Sequence, residues 1–596
     1  MRIKTKLEAI RTLLSYFAVM SAVFCVSIAS SQQAVAQLTQ PIIRYETIHR
    51  DIEGYFGMVS SQNNYASAVG HTVLQQGGNA VDAAVAMGFA LAVTLPRAGN
   101  IGGSGFMLVY VASENKTIAL DYRSMAPITS KDANNRTKSG EIDWDKLTFG
   151  AHASGVPGTV AGLYEAWQRY GSMTWAELLQ PAYELASRGF VVSPDLSYAI
   201  TQAGRVLASV PASAAAYLRP DGYVWQPGQK LIQKDLAWSI QQIQNGGADA
   251  FYKGALAKRI TDAFAKDGKQ ITMQDLAAYK VKEREPVSTD YRGYQVVSMP
   301  PSSAGGITLI QMLNILENFD VGKLEAGSAR HIHLLAEVMK RAAANRRTHI
   351  GDPDFVDVAI EGYISKKLAK KMAEDINLKK PSKVSSIKPE PVEDYESRDT
   401  THFSVIDAQG NAVSNTYTLG YSFGSGWVAE GTGILFDNQM RNFYISNSAE
   451  GKNAFAPGKR MISTMTPTIV LGKEGKPFLV TGTPGGSRII NTILQLLVNV
   501  IDFDMRIAEA THQPRIQQGW NSQKLGLEQG FSPDTINILE RMGHEVGLEQ
   551  SIGSTQSIMW RDGKFYGSAD PRRPNATALG VIYPPALVLK KAASGN

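Results

Sequence analysis

The sequence predicts an α+β protein in which a long mixed segment is joined by a polar connector to a segment rich in strands. Residues 37–375 mix helical and strand patterns, and such a mixture is typical of a fold built from both kinds of element. The connector, residues 378–399, holds prolines, serines and many charges with almost no apolar periodicity. That composition predicts an exposed, mobile stretch. From Thr400 onward the residue pattern is that of β-strands.

Several elements of the mixed segment are predicted individually. Residues 80–92 form an Ala-rich helical pattern, and Asn79 stands where a helix N-cap is expected. Residues 107–110 and 117–120 have the composition of two short strands around a turn. Residues 329–346 predict a second long helix that ends in a basic turn.

The first residues predict an export signal that is removed from the mature protein. Four cationic residues precede an apolar run at 13–28, and Ala34-Val35-Ala36 then fits the small-residue cleavage pattern. The mature chain is therefore expected to start near Gln37 and to be periplasmic or secreted. The alternative is an uncleaved membrane anchor, but serines interrupt the apolar run. No later stretch is long and apolar enough to span a bilayer.

Composition and charge exclude several classes of function. Removing residues 1–36 lowers the net charge from +6 to about +3, and no basic stripe with interleaved aromatics occurs, so nucleic-acid binding is not favoured. The single cysteine, Cys25, lies in the predicted signal, which leaves the mature chain without thiol or disulfide chemistry. The nine histidines show no metal-ligand spacing. We therefore expect no metal and no cofactor.

A β-hairpin that starts at Thr400 is the strongest local signal. Two strands, 400–407 and 411–418, flank a three-residue loop, and Gly410 stands where such a loop needs a left-handed residue. Counting outward from the loop places Thr400 opposite Thr418, with their hydroxyls within hydrogen-bond reach.

This hairpin can provide a catalytic nucleophile if the peptide bond before Thr400 is broken. A threonine hydroxyl is a poor nucleophile and needs a nearby base. A free α-amine has a pKa of about 7.7–8.0, so cleavage creates a base beside the hydroxyl of the same residue. The alternative is that threonines occur here because they favour strands.

Eight short motifs occur along nearly the whole mature chain and together identify a resemblance. They are GNAVDAAVA (78–86), NIGGSGF (100–106), DYR (121–123), PPSSAGG (300–306), GDPDF (351–355), TTH (400–402), PGGSR (484–488) and ADPRR (569–573). Each motif is weak by itself, but their number and order are highly specific. The sequence resembles the γ-glutamyltranspeptidase family, whose members are N-terminal-nucleophile hydrolases.

The resemblance implies a four-layer αββα sandwich with two stacked sheets. It also implies self-cleavage between Asp399 and Thr400, which yields a large subunit (37–399) and a small subunit (400–596) that form a heterodimer from one chain. Thr400 then falls on the nucleophile of the family, and Thr418 falls on the threonine that supports it.

Two further groups of site residues follow from the resemblance. Gly485 and Gly486 match the oxyanion hole, and an apolar strand (477–480) before them with a helix (487–501) after them makes a turn suited to that role. Arg123, Ser463 and Thr464 align with the residues that grip the α-carboxylate of the substrate, a suitable task for an arginine fork and two hydroxyls.

The part of the substrate pocket that faces the α-amino group, here called the amine pole, departs from the family. Gln439 is kept, but Gly420 stands where asparagine or glutamate is usual, and Asn442 replaces the aspartate that usually pairs with the substrate ammonium. A neutral amide supplies about half of the 1.5–3 kcal/mol of a charged contact. Discrimination for an α-amino group should therefore weaken. The segment 443–457 is also shorter than in many relatives, which predicts an open cleft without a lid.

The predicted function is γ-glutamyl transfer and hydrolysis, with small γ-glutamyl donors, glutathione first among them, and with amino acids, peptides or water as acceptors. The alternative on the same scaffold is a glutaryl or cephalosporin acylase. Two other readings are weaker. Residues 420–424 match the G-x-S-x-G elbow of serine hydrolases, with His512 and His544 as partners in order, but lack a following helix. A processed but inactive binding protein is the other.

Overall fold

Three central strands, at residues 104–111, 401–407 and 412–418, are buried on both faces, since nearly every one of their residues is buried. The computed structural model describes residues 48–383, 386–387, 399–444, 451–519 and 522–585. The chain divides into two units, residues 1–50 and residues 51–596, and all the elements below belong to the second. The predicted export signal lies outside the described residues, as does most of the predicted connector.

The described residues contain strands, helices and short 3-10 turns in mixed order. The strands are β1 (Ile52–Gly54), β2 (Gly57–Ser61), β3 (Ser104–Val111), β4 (Lys116–Tyr122), β5 (Phe190–Val191), β6 (Lys230–Leu231), β7 (Lys282–Arg284), β8 (Val287–Tyr291), β9 (Tyr294–Ser298), β10 (Thr401–Asp407), β11 (Ala412–Thr418), β12 (Thr468–Leu471), β13 (Pro477–Thr481), β14 (Ile516–Gln517), β15 (Lys524–Leu527), β16 (Glu545–Leu548), β17 (Gln556–Arg561), β18 (Lys564–Ala569) and β19 (Thr577–Gly580). The helices are Asn64–Gln75, Ala80–Thr94, Trp144–Thr148, Thr159–Tyr170, Trp175–Arg188, Pro194–Ala208, Pro211–Tyr217, Lys234–Tyr252, Ala255–Lys266, Met273–Ala278, Gly305–Leu316, Ala329–His349, Ile360–Tyr363, Lys366–Glu374, Ile489–Ile501, Ile507–His512 and Pro533–Met542.

Two seven-stranded sheets dominate the architecture. Sheet I has the order β19-β2-β10-β11-β3-β4-β7, and sheet II has the order β1-β18-β17-β13-β12-β9-β8. Neighbouring strands in both sheets are antiparallel. The strand that follows Thr400 lies between β2 and β11 in sheet I.

The sheets stack on each other and are covered by helices on their outer faces. Between them lies an apolar layer that includes Phe106 and Leu108 of sheet I and Ile469 and Val480 of sheet II. Helices, among them Ala80–Thr94, cover the outer face of sheet I, and the helices Gly305–Leu316, Ala329–His349 and Ile489–Ile501 cover that of sheet II. Burying each such side chain stabilises the fold by about 1.5–3 kcal/mol. The predicted αββα sandwich is confirmed.

The helix Ala80–Thr94 shows how tightly sheet I is packed, because all of its residues are buried. The Asn79 side chain accepts hydrogen bonds from the first turn, which confirms the predicted N-cap. The Asp82 carboxylate accepts a hydrogen bond from the Asn79 N–H and completes a capping box. The Ala80 N–H donates to the Asp407 carboxylate at 2.9 Å. The helix start is thereby tied to the end of β10.

The individually predicted elements are confirmed, each with slightly longer bounds. The helix at 80–92 extends to Thr94, and the helix at 329–346 extends to His349. The strands at 107–110 and 117–120 are the central parts of β3 and β4. Within the described ranges, no helix combines the length and apolar character that crossing a membrane requires.

Candidate active site

The hairpin of β10 and β11 aligns Thr400 with Thr418, as predicted. The two strands keep one register along the ladder, and continuing that register by one residue pairs the two threonines. At the loop end the Asp407 N–H donates to the Asn411 carbonyl at 3.0 Å. Gly410 has a φ of 87°, in the region that glycine adopts without strain. The predicted loop and register are therefore confirmed.

The Thr418 hydroxyl links Thr400 to the peptide group before it. Thr400 Oγ1 donates to Thr418 Oγ1 at 3.2 Å, and Thr418 Oγ1 donates to the carbonyl oxygen of Asp399 at 2.9 Å. The Gly420 N–H donates to the same hydroxyl oxygen at 2.9 Å, which directs the hydroxyl proton toward Asp399. Such a hydroxyl is suited to assist attack by Thr400 on the Asp399 carbonyl, because it contacts both reacting groups.

One small pocket collects most of the predicted site residues around the Thr400 hydroxyl. Its cavity volume is about 30 Å³. Its lining includes Arg123, Thr400, Thr418, Gly420, Gln439, Asn442, Ser463, Thr464 and Gly486. The two remaining predicted residues, Asp399 and Gly485, line a separate cleft. Residues from widely separated parts of the chain thus meet at the start of β10.

Arg123, directly after β4, is only 1% exposed and braces the segment opposite Thr400. Its Nε donates to the carbonyl of Met461 and its Nη2 to the carbonyl of Ile462, both at 3.2 Å. These bonds fix the backbone just before Ser463 and Thr464. One cation and two hydroxyls therefore lie on the same side of the pocket, an arrangement suited to a carboxylate.

Ser104 connects this cationic side to the Thr400 hairpin. Its hydroxyl accepts from Arg123 Nη1 at 3.4 Å and donates to Gln439 Oε1 at 3.2 Å. Gln439 Nε2 in turn donates to the carbonyl of Thr418 at 3.0 Å. No role was predicted for Ser104 from the sequence. The signal that would have found it is the strand register, because Ser104 pairs with Thr418 across β3 and β11.

The Gly485–Gly486 turn has the backbone conformation that the proposed oxyanion role needs. Their φ angles are 138° and 57°, which side chains would disfavour. Gly486 is held to the pocket because its carbonyl accepts from Thr464 Oγ1 at 2.9 Å. No acceptor among the described residues takes the N–H of either glycine. The helix predicted at 487–501 begins at Ile489, after a 3-10 turn at Gly486–Arg488.

At the amine pole, the backbone conformation gives a physical reason for the glycine at position 420. Its φ is 92°, and a Cβ there would lie 2.1 Å from Asn438 Oδ1. That oxygen accepts from the Tyr421 N–H at 3.0 Å and so cannot easily move away. A side chain at 420 would therefore strain this turn. Asn442 is the remaining altered residue, and it is half-buried at the pocket wall.

Two arginines hold the carboxylate of Asp399. Arg97 Nη1 lies 2.6 Å and Arg573 Nη2 lies 3.7 Å from Asp399 Oδ1. Arg573 belongs to the ADPRR motif, but neither arginine was singled out from the sequence. No local pattern marks them, since they lie far from Thr400 along the chain.

The imidazole of His402, two residues after Thr400, has a strongly lowered pKa because it is buried. His402 is buried, and its nitrogens contact Thr416 Oγ1 at 2.8 Å and Ser404 Oγ at 3.0 Å. Burial lowers the pKa of His402 to about 3, so the ring is neutral and a weak base. Burial also raises the pKa of Asp437 to about 6, against hydrogen bonds that include one from Ser124. Among the described residues, neither group forms a hydrogen bond with Thr400.

The weaker sequence readings lack the surroundings that they need. After the G-x-S-x-G match at 420–424 the chain continues through turns, with positive φ at Gly426, Gly431 and Gly433, and residues 425–438 contain no helix. His544 is buried against His333, with 2.7 Å between their nitrogens. In the described part of the chain, no group of three His, Cys, Asp or Glu side chains is placed to hold a metal ion.

The chain is similar to known proteins over most of its length. The sequence profile of the family described as Gamma-glutamyltranspeptidase matches residues 66–580. The chain is 45% identical over 559 residues to a glutathione hydrolase proenzyme of Escherichia coli (strain K12), covering 92% of this chain and 96% of that protein. It is 39% identical over 526 residues to an acylase ACY 1 proenzyme of Pseudomonas sp. (strain SE83), covering 87% and 92%.

A solved structure shares the architecture as well. The crystal structure of cephalosporin acylase from Bacillus halodurans superposes with a TM-score of 0.80 at 27% identity, covering 91% of this chain and 98% of that one.

Proposed function

The chain belongs to the γ-glutamyltranspeptidase family, and from this premise we propose that it cuts its own backbone between Asp399 and Thr400 and then uses Thr400 as nucleophile. It is an enzyme that transfers and hydrolyses γ-glutamyl groups. Glutathione is the proposed donor, because the Escherichia coli relative named above is a glutathione hydrolase proenzyme and the match covers 92% of this chain. The proposal further includes export directed by residues 1–36.

The observation that carries this proposal is the position of the Thr418 hydroxyl between the Thr400 hydroxyl and the Asp399 carbonyl oxygen. Thr400 Oγ1 attacks the Asp399 carbonyl carbon, and its proton passes through Thr418 to the Thr400 nitrogen as the C–N bond breaks. The resulting ester is hydrolysed by water, which leaves a carboxylate on Asp399 and a free amine on Thr400. Large and small subunits, 37–399 and 400–596, then remain together as one enzyme.

In the cleaved enzyme the same hydroxyl attacks a γ-glutamyl donor. The Thr400 amine accepts the hydroxyl proton and delivers it to the leaving amine. Water or an acceptor amine then attacks the ester carbon, the bond to Thr400 Oγ1 breaks, and Thr400 regains its proton. Thr418 orients Thr400 through these steps, while the neutral ring of His402 takes no part.

The remaining site residues are proposed to bind the charged groups of the substrate and of the reaction intermediate. Gly485 and Gly486 are proposed to donate their N–H groups to the oxyanion, where each such donor contributes about 2.7–4 kcal/mol. Arg123, Ser463 and Thr464 are proposed to bind the carboxylate of the acyl group, with Arg123 held in place by the 461–462 backbone. Gln439 and Asn442 face the α-amino group with neutral amides.

Thr418→Val is expected to slow cleavage before Thr400 by about a hundredfold, because the variant loses the hydrogen bond to the Asp399 carbonyl oxygen. Thr418→Ser keeps the hydroxyl and should be cleaved at nearly the wild-type rate. The measurement is the time course of intact mass, with N-terminal sequencing of the smaller piece. A smaller piece that starts at a residue other than Thr400, or equal rates for the two variants, would refute this mechanism.

A second candidate activity, hydrolysis of glutaryl and cephalosporin side-chain amides, is favoured by the altered amine pole. A glutaryl group keeps the carboxylate that the Arg123 side binds but has no ammonium. Asn442 offers no charge to an ammonium, and Gly420 has no room for a polar side chain. Relatives named as acylase ACY 1 proenzyme and cephalosporin acylase add support.

Asn442→Asp is expected to raise the ratio of kcat/KM for γ-glutamyl over glutaryl anilides by about tenfold. The new carboxylate gains a charge-assisted contact with the α-ammonium of γ-glutamyl donors and with no group of a glutaryl donor. Asn442→Ala removes the amide without adding charge and should not raise the ratio. A wild-type preference for the γ-glutamyl donor of several orders of magnitude would reject the acylase candidate.

A further inference from the structure

We propose that Arg97 and Arg573 are positioning residues for the cleavage step. Through the Asp399 carboxylate they hold the peptide group between Asp399 and Thr400 in the orientation that the Thr400 hydroxyl attacks. This inference rests on the proposed function, since it concerns cleavage between these two residues. It assigns the two arginines a part in maturation of the chain, and it requires no contact between them and a substrate.

Attack on the preceding carbonyl requires one orientation of the peptide group that is cut. When the Thr400 hydroxyl bonds to the Asp399 carbonyl carbon, a small ring closes, so that carbon must face Thr400 Oγ1. The next residue, Thr401, is the first of β10 and pairs with Tyr417 of β11, which holds the Thr400 side of the peptide group. The peptide plane can still rotate about the N–Cα bond of Thr400. Contacts of Asp399 must therefore fix that rotation.

Two anchors hold the peptide plane on the Asp399 side. The carbonyl oxygen accepts from Thr418 Oγ1 at 2.9 Å, and the side-chain carboxylate accepts from Arg97 Nη1 at 2.6 Å. Arg573 Nη2 lies 3.7 Å from the same carboxylate oxygen. Aspartate has a single methylene between Cα and its carboxyl group, so a fixed carboxylate also restricts Cα. A peptide plane held at its oxygen and near its Cα loses rotational freedom, and such orientation lowers the barrier to an intramolecular attack.

Both arginines lie in turns that the fold holds in place. Arg97 follows the helix Ala80–Thr94, and its carbonyl accepts from the Phe423 N–H at 3.0 Å. The Arg97 side chain is only 7% exposed, so it has little freedom to move. The Arg573 N–H donates to the Asp570 carbonyl at 3.1 Å. The two guanidinium groups therefore provide a fixed reference to which a short acidic side chain can bind.

Packing on all sides does not hold Asp399, because this residue lines two clefts. One cleft has a cavity volume of about 780 Å³ and is also lined by Arg97 and Arg573. The other has a cavity volume of about 350 Å³ and is also lined by Gly485. The charged contacts therefore carry more of the task of holding Asp399 than they would in a closed core. The clefts also offer a route for the water that hydrolyses the ester.

The charges favour a conformation with Asp399 between the two arginines. Asp399 is the partner in every ion pair of Arg97 and Arg573 among the described residues. Burial and the neighbouring charge of Arg97 lower the pKa of Arg573 to about 10, so the two cations lie close enough to repel each other. A carboxylate between them offsets that repulsion. A buried cation without its anion is unfavourable, so the uncut chain keeps its carboxylate in this position.

The test is a double-mutant cycle on the rate of cleavage, followed by intact mass from the start of a cell-free synthesis of the full chain. Arg97→Gln and Asp399→Asn should each slow cleavage by about tenfold. The double variant should be no slower than the slower single variant, because each change removes the same charge pair. Arg573→Gln should slow cleavage by only about threefold, since its contact is longer. Arg205→Gln, on an exposed residue that does not line the cleft, should be cleaved at the wild-type rate.

Thermal unfolding separates positioning from a structural role. Each variant is also made in a Thr400→Ala background, which stays uncut, and its unfolding midpoint should lie within about 4 °C of the parent. A larger fall that accompanies slow cleavage would indicate a structural role and overturn the proposal.

Wild-type cleavage rates in Arg97→Gln and Asp399→Asn, or additive effects in the double variant, would also overturn the proposal. If Arg97→Gln does not fold, the rate of Asp399→Asn decides, because Asp399 lines open clefts and its amide has nearly the same shape. Failure of wild type to be cleaved, or a smaller piece that starts at another residue, would instead refute the proposed function. The two failures are therefore distinguishable.

Discussion

Thr400→Ala is expected to leave the chain uncut and to lower γ-glutamyl transfer and hydrolysis by about 10⁴-fold or more. The variant lacks the oxygen that attacks the Asp399 carbonyl, and no neighbouring hydroxyl substitutes for it, because Thr418 already donates to that carbonyl. Without cleavage the amine of residue 400 stays in a peptide bond and cannot act as base. One missing atom therefore removes both nucleophile and base.

The matched control is Thr400→Ser, which keeps a hydroxyl at the same place. It should be cleaved and active, although more slowly, since serine lacks the methyl group that restricts χ1 of threonine. Denaturing electrophoresis of purified protein and initial rates with a γ-glutamyl anilide are the measurements. Activity in an unbroken chain, or full activity of Thr400→Ala, would contradict the mechanism.

Arg123→Gln is expected to produce the second largest effect, a fall in kcat/KM for γ-glutamyl and glutaryl donors of about 10²-fold. Both donors present a carboxylate to this side of the pocket, and a fork of charged N–H donors is lost, at about 1.5–3 kcal/mol for a charged hydrogen bond. Arg123→Lys keeps the charge but not the fork, so we expect it to recover only part of the loss.

A structural explanation of that loss can be separated from a binding one. Arg123 also supports the carbonyls of Met461 and Ile462, so cleavage and thermal unfolding of each variant are measured first. The discriminating donor is an acyl anilide of similar length without a carboxylate. Its slow hydrolysis should be unchanged in Arg123→Gln, whereas an equal fall for all donors would argue against carboxylate binding.

At the amine pole, comparing residue types with the family is not enough to explain position 420. In the sequence, Gly420 stands where the family usually has a polar side chain. In the fold it is a position with a φ of 92° and with Asn438 Oδ1 where a Cβ would lie. Restoring asparagine at 420 would therefore strain the turn that carries the Gly420 N–H to Thr418. Asn442 is the residue at which donor selectivity can be changed without that strain.

The hairpin was predictable because its information is local. Alternation along β10 and β11 sets the faces of the strands, and Gly410 sets the loop, so the register between Thr400 and Thr418 follows from counting. The capped helix at Ala80–Thr94 was predictable for the same reason. The resemblance to the family then supplied Arg123, Ser463, Thr464 and the glycine turn, which no local rule would have grouped.

The α+β class, the strand directly after Thr400 and the threonine opposite it could be read from the sequence, since they depend on neighbours along the chain. That Ser104 joins Arg123 to Gln439, and that Arg97 and Arg573 contact Asp399, became visible only in the folded protein. These contacts join residues that are far apart along the chain. Arg97 meets Asp399 from 302 residues away, and only the packing of the whole sandwich brings such charges into contact.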